Sequence, residues 1–396
     1  MVCGLETGRG VVGACNYFSS IRGNEILSHG VTFWLVFGQQ AILNLAMYLL
    51  ISKKSACNFL RCPMKVNYVP ISWKIVLALV STFSFSACSE MTKDSSLPPL
   101  VETLPTVSFE DFDSLFEETK RWGEFGAEDQ LGALNLVSEQ KRIEAAAEVQ
   151  IGRAISLANP MSKTAVGDFI IPLEHEVFVF PQLPNSTPAE NAAGDIMTIN
   201  YHGALHSHMD GVAHFGWKGK LYNGFDFLPG ENGFAHAGVE NIASTGIFSR
   251  GVIVDFPSLY GMDWLPPDTK LTTDHFEAWE AAHGVKIEAG DILLVRTGRW
   301  QLASSSPSYD PLTEAAGLHT SVGLWLKSRG ISAIGSDAVS DAVPSGVEGV
   351  FNPIHVLANA ALGMPIFDHL QLDELAEVAE EQGRVTFLFT ATPLNI

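Results

Sequence analysis

Between Tyr201 and Phe215 the chain reads His202-Gly-Ala-Leu-His206-Ser-His208-Met-Asp210-Gly-Val-Ala-His214, which places four of its twelve histidines and one carboxylate within thirteen residues. Repeated imidazoles rarely serve packing, because a buried ring nitrogen without a partner is costly. Neutral imidazole is the commonest metal ligand and carboxylate suits the same divalent ions. His202, His206, His208 and Asp210 are therefore candidate ligands for Zn2+ or Mn2+. The preceding residues 195–201 alternate like a strand, and strand side chains at i, i+2 and i+4 share one face. A strand that ran on through the cluster would point all four candidate ligands one way, while Gly203 and Gly211 mark a bulge or turn at either end. His29, His175, His236, His275, His283 and His319 have no such company and read as solvated or structural.

Charge divides the chain. The first 88 residues carry seven basic and two acidic side chains, leaving 17 and 42 for the remainder, a net charge near −25. So acidic a body argues against nucleic acid or an anionic membrane as a partner. All five cysteines, Cys3, Cys15, Cys57, Cys62 and Cys88, fall in the same leader, so the body has no thiolate ligand, thiol nucleophile or internal disulfide. Within the leader, residues 31–51 form an apolar run of membrane-spanning length interrupted by Gln39, Gln40 and Asn44. Met64 and Lys65 then open a basic stretch through Lys74, followed by an apolar core and the sequence Phe85-Ser-Ala-Cys88. That is the plan of a bacterial lipoprotein signal peptide, with Phe85 where leucine is usual. The expected organisation is an upstream extension or anchor at 1–63, a signal peptide at 64–88, a flexible tether at 89–108 and one globular domain at 109–396.

In the body, helices are expected at 138–150, 273–283 and 372–382, each with a capping residue at one end: Ser138, Gly284 and Gly383. Strands are expected at 251–256, 291–296, 331–335 and 385–390. Short apolar strands alternating with helices indicate an α/β domain with a mixed, largely buried sheet. No phosphate-binding loop, serine-nucleophile elbow or dinucleotide fingerprint is present.

Ordered motifs over 122–394 resemble the cyclase family of metal-dependent hydrolases, which includes kynurenine formamidases and isatin hydrolases, in its longer branch. They are Arg121-Trp-Gly-Glu-Phe-Gly-Ala-Glu-Asp-Gln-Leu-Gly-Ala-Leu-Asn135, the cluster at 202–214, Lys218-Gly-Lys-Leu-Tyr-Asn-Gly224, Gly290-Asp-Ile-Leu-Leu-Val-Arg-Thr-Gly298, and His355 through Asp368. The resemblance implies a swivelling β/β/α domain, assembly into homodimers or homotetramers, and amide, lactam or related acyl substrates. That family's metal motif is His-x-Gly-Thr-His-x-Asp with a further His four residues on. His208, Asp210 and His214 match its second ligand, its Asp ligand and its catalytic His. Ala204 occupies the place of the first ligand, with His202 and His206 on either side; His202 is favoured because His-Gly opens the motif in the longer branch. Later ligands are implied at His355 and at Asp368, where shorter-branch enzymes have Glu. Aspartate is one methylene shorter, so either the helix carrying it packs closer or a second ion is weak or absent. The neighbouring His369 and Asp373 read as ordinary surface residues.

The implied activity is hydrolysis of an amide, lactam or lactone by metal-activated water, with His214 passing protons. Alternatives are a binding lipoprotein that has lost turnover and a metal-dependent lyase or dehydratase. Trp122, Phe125, Trp217 and Tyr222 flank the motifs and are expected to line an apolar substrate pocket. Membrane attachment is expected only through the N-terminus, at the periplasmic face of the outer membrane. Translation from Met64, cleavage before Cys88 and lipidation there predict a diacylglyceryl-modified mature N-terminus by mass spectrometry. A cytoplasmic product still carrying 64–88 would refute export.

Overall fold

The structure is a computed structural model that describes residues 97–396 except 102, 165–170, 182–184, 186, 188 and 232. The apolar run at 31–51, the signal peptide at 64–88 and the first part of the tether lie outside the described residues. Eight strands organise the site: β1 (Glu174–Val179), β2 (Ala193–Thr198), β3 (His208–Asp210), β4 (Ile247–Asp255), β5 (Ile292–Arg296), β6 (Ala333–Ser336), β7 (Ile366–Asp368) and β8 (Thr386–Ala391). Six of them form one mixed sheet in the order β8-β4-β5-β6-β7-β3. The four central strands run parallel, and each edge strand, β8 and β3, is antiparallel to its neighbour.

Alternation within these strands sorts side chains to two cores. Val252, Val254, Leu293, Val295, Ile334 and Ile366 face one side. Ile247, Ile253, Ile292, Leu294, Ala333 and Phe367 face the other. Helices cover both faces, as parallel strands require. They are α1 (Phe109–Thr119), α2 (Glu139–Ala147), α3 (Thr273–His283), α4 (Arg299–Ser305), α5 (Val322–Arg329) and α6 (Asp373–Gln382). The mixed, buried sheet expected from sequence is thus present, and its strands lie within a few residues of the expected bounds. Helix α3 closes at Gly284 with φ of 65°, and α2 starts on Ser138, whose hydroxyl accepts the Lys141 N–H at 3.1 Å. Among the described residues no helix is long and apolar enough to cross a membrane.

Two expectations change. The tether is bound to the domain before Phe109. The Tyr260 hydroxyl donates to Pro98 O at 2.7 Å, Leu100 packs on the core, and Val107 exchanges backbone hydrogen bonds with Gly346 and Glu348. Nor does the strand before the histidine cluster run through it. It ends at Thr198, the backbone turns at Gly203 with φ of 119°, and extended structure resumes only at His208. The β1–β2 hairpin itself is poorly covered, with Val177, Val179, Ile196 and Met197 exposed.

Gly132 marks where backbones come closest beneath the site. Its φ is 56°, the Ala133 N–H donates to Gly363 O at 3.0 Å, and a Cβ on Gly132 would collide with the Gly363 backbone. Gly132→Ala therefore combines left-handed strain with a clash that no side chain can relieve. It should cost about 2 kcal/mol, read as a lower urea midpoint at unchanged slope.

Candidate metal centre

Pairing of β7 with β3 builds the centre. The register sets Asp368 opposite His208 and Ile366 opposite Asp210. Cross-strand partners share a face, so His208, Asp210 and Asp368 emerge together on the side of the sheet that carries Ile366. Asp368 sits on this strand, not on a helix. The strand pairing brings it close enough that the shorter side chain still reaches its neighbours. His355 arrives from the helical turn Pro353–His355, which continues into a wider-wound segment at Val356–Leu362.

The side chains fall into two triads that share Asp210: His202, His208 and Asp210, and Asp210, His355 and Asp368, the ligand atoms of each lying within 4.8 Å of one another. His202 Nδ1 is 2.9 Å, His208 Nε2 3.4 Å and His214 Nε2 3.6 Å from Asp210 Oδ1. His355 Nε2 is 3.2 Å from Asp210 Oδ2 and 3.1 Å from Asp368 Oδ2. Yet among the described residues neither buried oxygen of Asp210 finds a hydrogen-bond partner. Close approach without hydrogen-bond angles is what ligands converging on a common point show, and a buried carboxylate left so is otherwise expensive. The donor set of imidazoles and carboxylates fits a divalent ion.

Fixed partners hold the ligands. His208 Nδ1 lies 2.8 Å from His206 O, an acceptor, so this nitrogen carries the proton and Nε2 is left as ligand. His355 Nδ1 lies 2.5 Å from Asp341 Oδ2, and Asp341 also accepts the backbone N–H of Ile354 at 2.6 Å and of His355 at 3.3 Å. This is the carboxylate–imidazole pairing that orients metal ligands. Asp368 gives Oδ1 to the Ser340 N–H and hydroxyl at 3.1 and 2.9 Å, which leaves Oδ2 for the centre. Sequence reasoning missed Asp341. The signal available was a second acid in the apolar stretch Ser336-Asp-Ala-Val-Ser-Asp341.

Electrostatics follow from this crowding. Burial would raise the Asp210 carboxyl, but the imidazoles of His202 and His355 hold it well below the usual carboxylate range. Burial would lower His355, and Asp368, Asp210 and Asp341 reverse this and raise it. Burial pushes His214 down to about 4 despite the opposing pull of Asp210, so its ring is neutral near pH 7.

The other expected site residues are placed as follows. His206 is 2% exposed and outside both triads, and among the described residues neither ring nitrogen has a hydrogen-bond partner. His214 stacks on His202 with centroids 3.8 Å apart and stays partly open. The aromatic that meets the centre is Phe215, 4.8 Å from both the His214 and the His355 rings. Tyr222 is fully buried with its hydroxyl on Asp129 at 2.9 Å, so it presents no surface to a ligand. Trp122 Nε1 donates to Ala360 O at 2.8 Å, and Trp217 is packed among Phe109, Phe112 and Phe116, so both rings serve the framework. Phe125 is half-buried. His369, expected at the surface, is 3% exposed because Arg299 and the start of α4 close over it.

The Cyclase family model matches residues 155–342, a span that contains the histidine cluster and ends just past Asp341. A crystal structure described as that of a novel cyclase superposes with a TM-score of 0.61 at 26% identity, covering 70% of this chain and 95% of that one. Over that span the chain is similar to the cyclase family. Other solved structures similar to this protein are isatin hydrolase A from Labrenzia aggregata bound to benzyl benzoate and isatin hydrolase A from Ralstonia solanacearum. The first is 19% identical with a TM-score of 0.43, covering 64% of this chain and 93% of its own; the second is 20% identical with 0.44, covering 64% and 91%. No curated protein matches the sequence.

His208→Ala and Asp210→Ala should abolish stoichiometric metal in elemental analysis of the purified protein. Asp341→Asn, which leaves every ligand in place, should weaken metal binding by about 10- to 100-fold. Full metal retention in His208→Ala and Asp210→Ala would dismiss the centre.

Proposed function

We propose that this protein is a cyclase-like, metal-dependent hydrolase that opens the acyl C–N or C–O bond of a small amide, lactam or lactone. The observation that carries the reading is Asp210, a buried carboxylate shared by two triads whose oxygens find no hydrogen-bond partner among the described residues. His202, His208 and Asp210 would hold one divalent ion, Zn2+ or Mn2+, and His355 and Asp368 would add a second position sharing Asp210. Such an ion, when bound, acidifies water and polarises a carbonyl.

The chain's own contribution is proton handling and the exclusion of bulk water. His214 is the one imidazole of the cluster that lies outside both triads and keeps solvent access. A neutral ring there accepts a proton from the attacking water and returns it to the departing nitrogen or oxygen. Stacking against His202 and the edge of Phe215 holds the ring beside Asp210 without spending its nitrogens. Phe215 gives the floor beside His355 an apolar cover, which suits the hydrocarbon part of an acyl substrate.

His214→Ala should keep its metal and lose about 10^2- to 10^4-fold in turnover across a panel of N-formyl amines, lactams and lactones. Products formed in 18O-labelled water decide the reaction type. Label in the carboxylate supports hydrolysis, and an unlabelled eliminated product would replace it with a lyase. A wild-type rate in His214→Ala would remove the proton-transfer role.

A further inference from the structure

Arg299 is buried, and among the described residues it forms no ion pair with a carboxylate. An unpaired buried cation is costly unless the fold uses it. Its backbone is anchored by Asp337, which accepts the N–H of Thr297 and Gly298 at 2.8 Å each and that of Arg299 at 3.2 Å. The guanidinium lies 4.0 Å over the Trp300 ring, and one amino group donates to Ala204 O at 2.9 Å, inside the loop that leads into the histidine cluster. The other lies 2.6 Å from His369 Nδ1.

That contact settles the tautomer of His369. A guanidinium has only donors, so Nδ1 accepts with its lone pair and the ring proton resides on Nε2. The ring is also held from its backbone. His369 N–H donates to Ala338 O at 3.0 Å, its carbonyl accepts the Ser207 hydroxyl at 2.6 Å, and Trp300 Nε1 donates to the next carbonyl, of Leu370, at 2.8 Å. The backbone carries a φ of 56°, a left-handed conformation unfavourable for a side chain with a Cβ, and such strain gathers at functional sites. The result is a ring adjacent in sequence to Asp368, with its centroid 5.8 Å from that of His208. Among the described residues, Nε2 makes no hydrogen bond.

We propose that His369, held by Arg299, is a catalytic hydrogen-bond donor whose Nε2–H receives the oxyanion formed on the substrate carbonyl. This rests on the hydrolase reading. Water oxygen adds to the carbonyl carbon, the carbonyl π pair moves onto its oxygen, and that oxygen accepts from Nε2–H. Collapse re-forms the C=O bond and breaks the C–N or C–O bond, and the leaving atom takes from His214 the proton that water released. The products are a carboxylic acid and an amine or alcohol. His369 exchanges no proton; the Arg299 charge behind it strengthens a donor to negative charge that exists only during reaction.

Two substitutions separate this from a structural tie. His369→Asn keeps an acceptor at the Nδ1 position for Arg299 and removes the distal donor; His369→Gln places an amide N–H near the Nε2 position. The donor role predicts that His369→Asn retains metal and thermal midpoint, loses about 10^2- to 10^3-fold in kcat with little change in KM, and that His369→Gln recovers part of that loss. Two readouts do not need turnover. Sodium benzoate, a carboxylate standing for the anionic oxygen, should bind the metal-loaded His369→Asn protein about 10-fold more weakly than wild type. NMR of 15N-histidine-labelled, metal-free protein should show His369 bare at Nδ1 and protonated at Nε2. Wild-type kcat and benzoate affinity in His369→Asn, loss of metal in that variant, or a proton on Nδ1 would each overturn the proposal. If no panel compound is hydrolysed by the wild type while the benzoate and NMR results hold, the hydrolase reading fails and the donor stands.

Discussion

A buried carboxylate without hydrogen bonds is an unstable thing to build, and the domain is arranged around one. Asp210 sits on a three-residue edge strand with imidazoles on every side, and its own oxygens are left open. Several of the neighbouring polar groups are held by a third party. Asp341 takes His355, Ser340 takes half of Asp368, and the His206 carbonyl takes His208. Each of these contacts occupies one polar atom of a neighbour and leaves another for the centre. An ion of two positive charges is the partner that balances such a cluster, and the arrangement makes sense when the network is read outward from that carboxylate.

The fold was legible where information is local. Helix α3 carries its own start and stop in Thr272 and Gly284, and β4, β5, β6 and β8 announce themselves by their apolar and β-branched composition. The short β7 does not, since Ile366-Phe-Asp368 is too brief to show a period. The histidine cluster was legible as chemistry, because packing alone rarely gathers four imidazoles into thirteen residues. Its geometry was not: alternation suggested one continuous strand, whereas the convergence comes from β3 meeting β7 across more than 150 residues of chain.

Single residues with long-range partners were the least legible. Asp341 and Asp337 look alike in sequence, four residues apart, yet one orients a candidate ligand and the other holds the first turn of α4. His369 follows an acid after a strand, a place where polar residues are usually solvated, and only the return of Arg299 from another strand-to-helix connection buries it. Tryptophans near a motif invite a pocket reading. Here they pack the layer formed by α1 and the segment at Val356–Leu362, which sets the position of His355 from behind.

The pairing of β3 with β7 carries a consequence for how the chain reaches its native state. The strand offers only three residues to choose a register, and a slip of one residue would exchange Met209 for His208 on the face that matters. Hydrophobic burial alone discriminates weakly between such neighbours on a short edge. A ligand set that closes only in one register discriminates sharply, since a misplaced strand forfeits His208, Asp210 and their partner Asp368 together. Metal affinity would thereby act as a proofreading step on strand alignment, and the ion that would serve chemistry would also favour the register in which the sheet edge closes its ligand set.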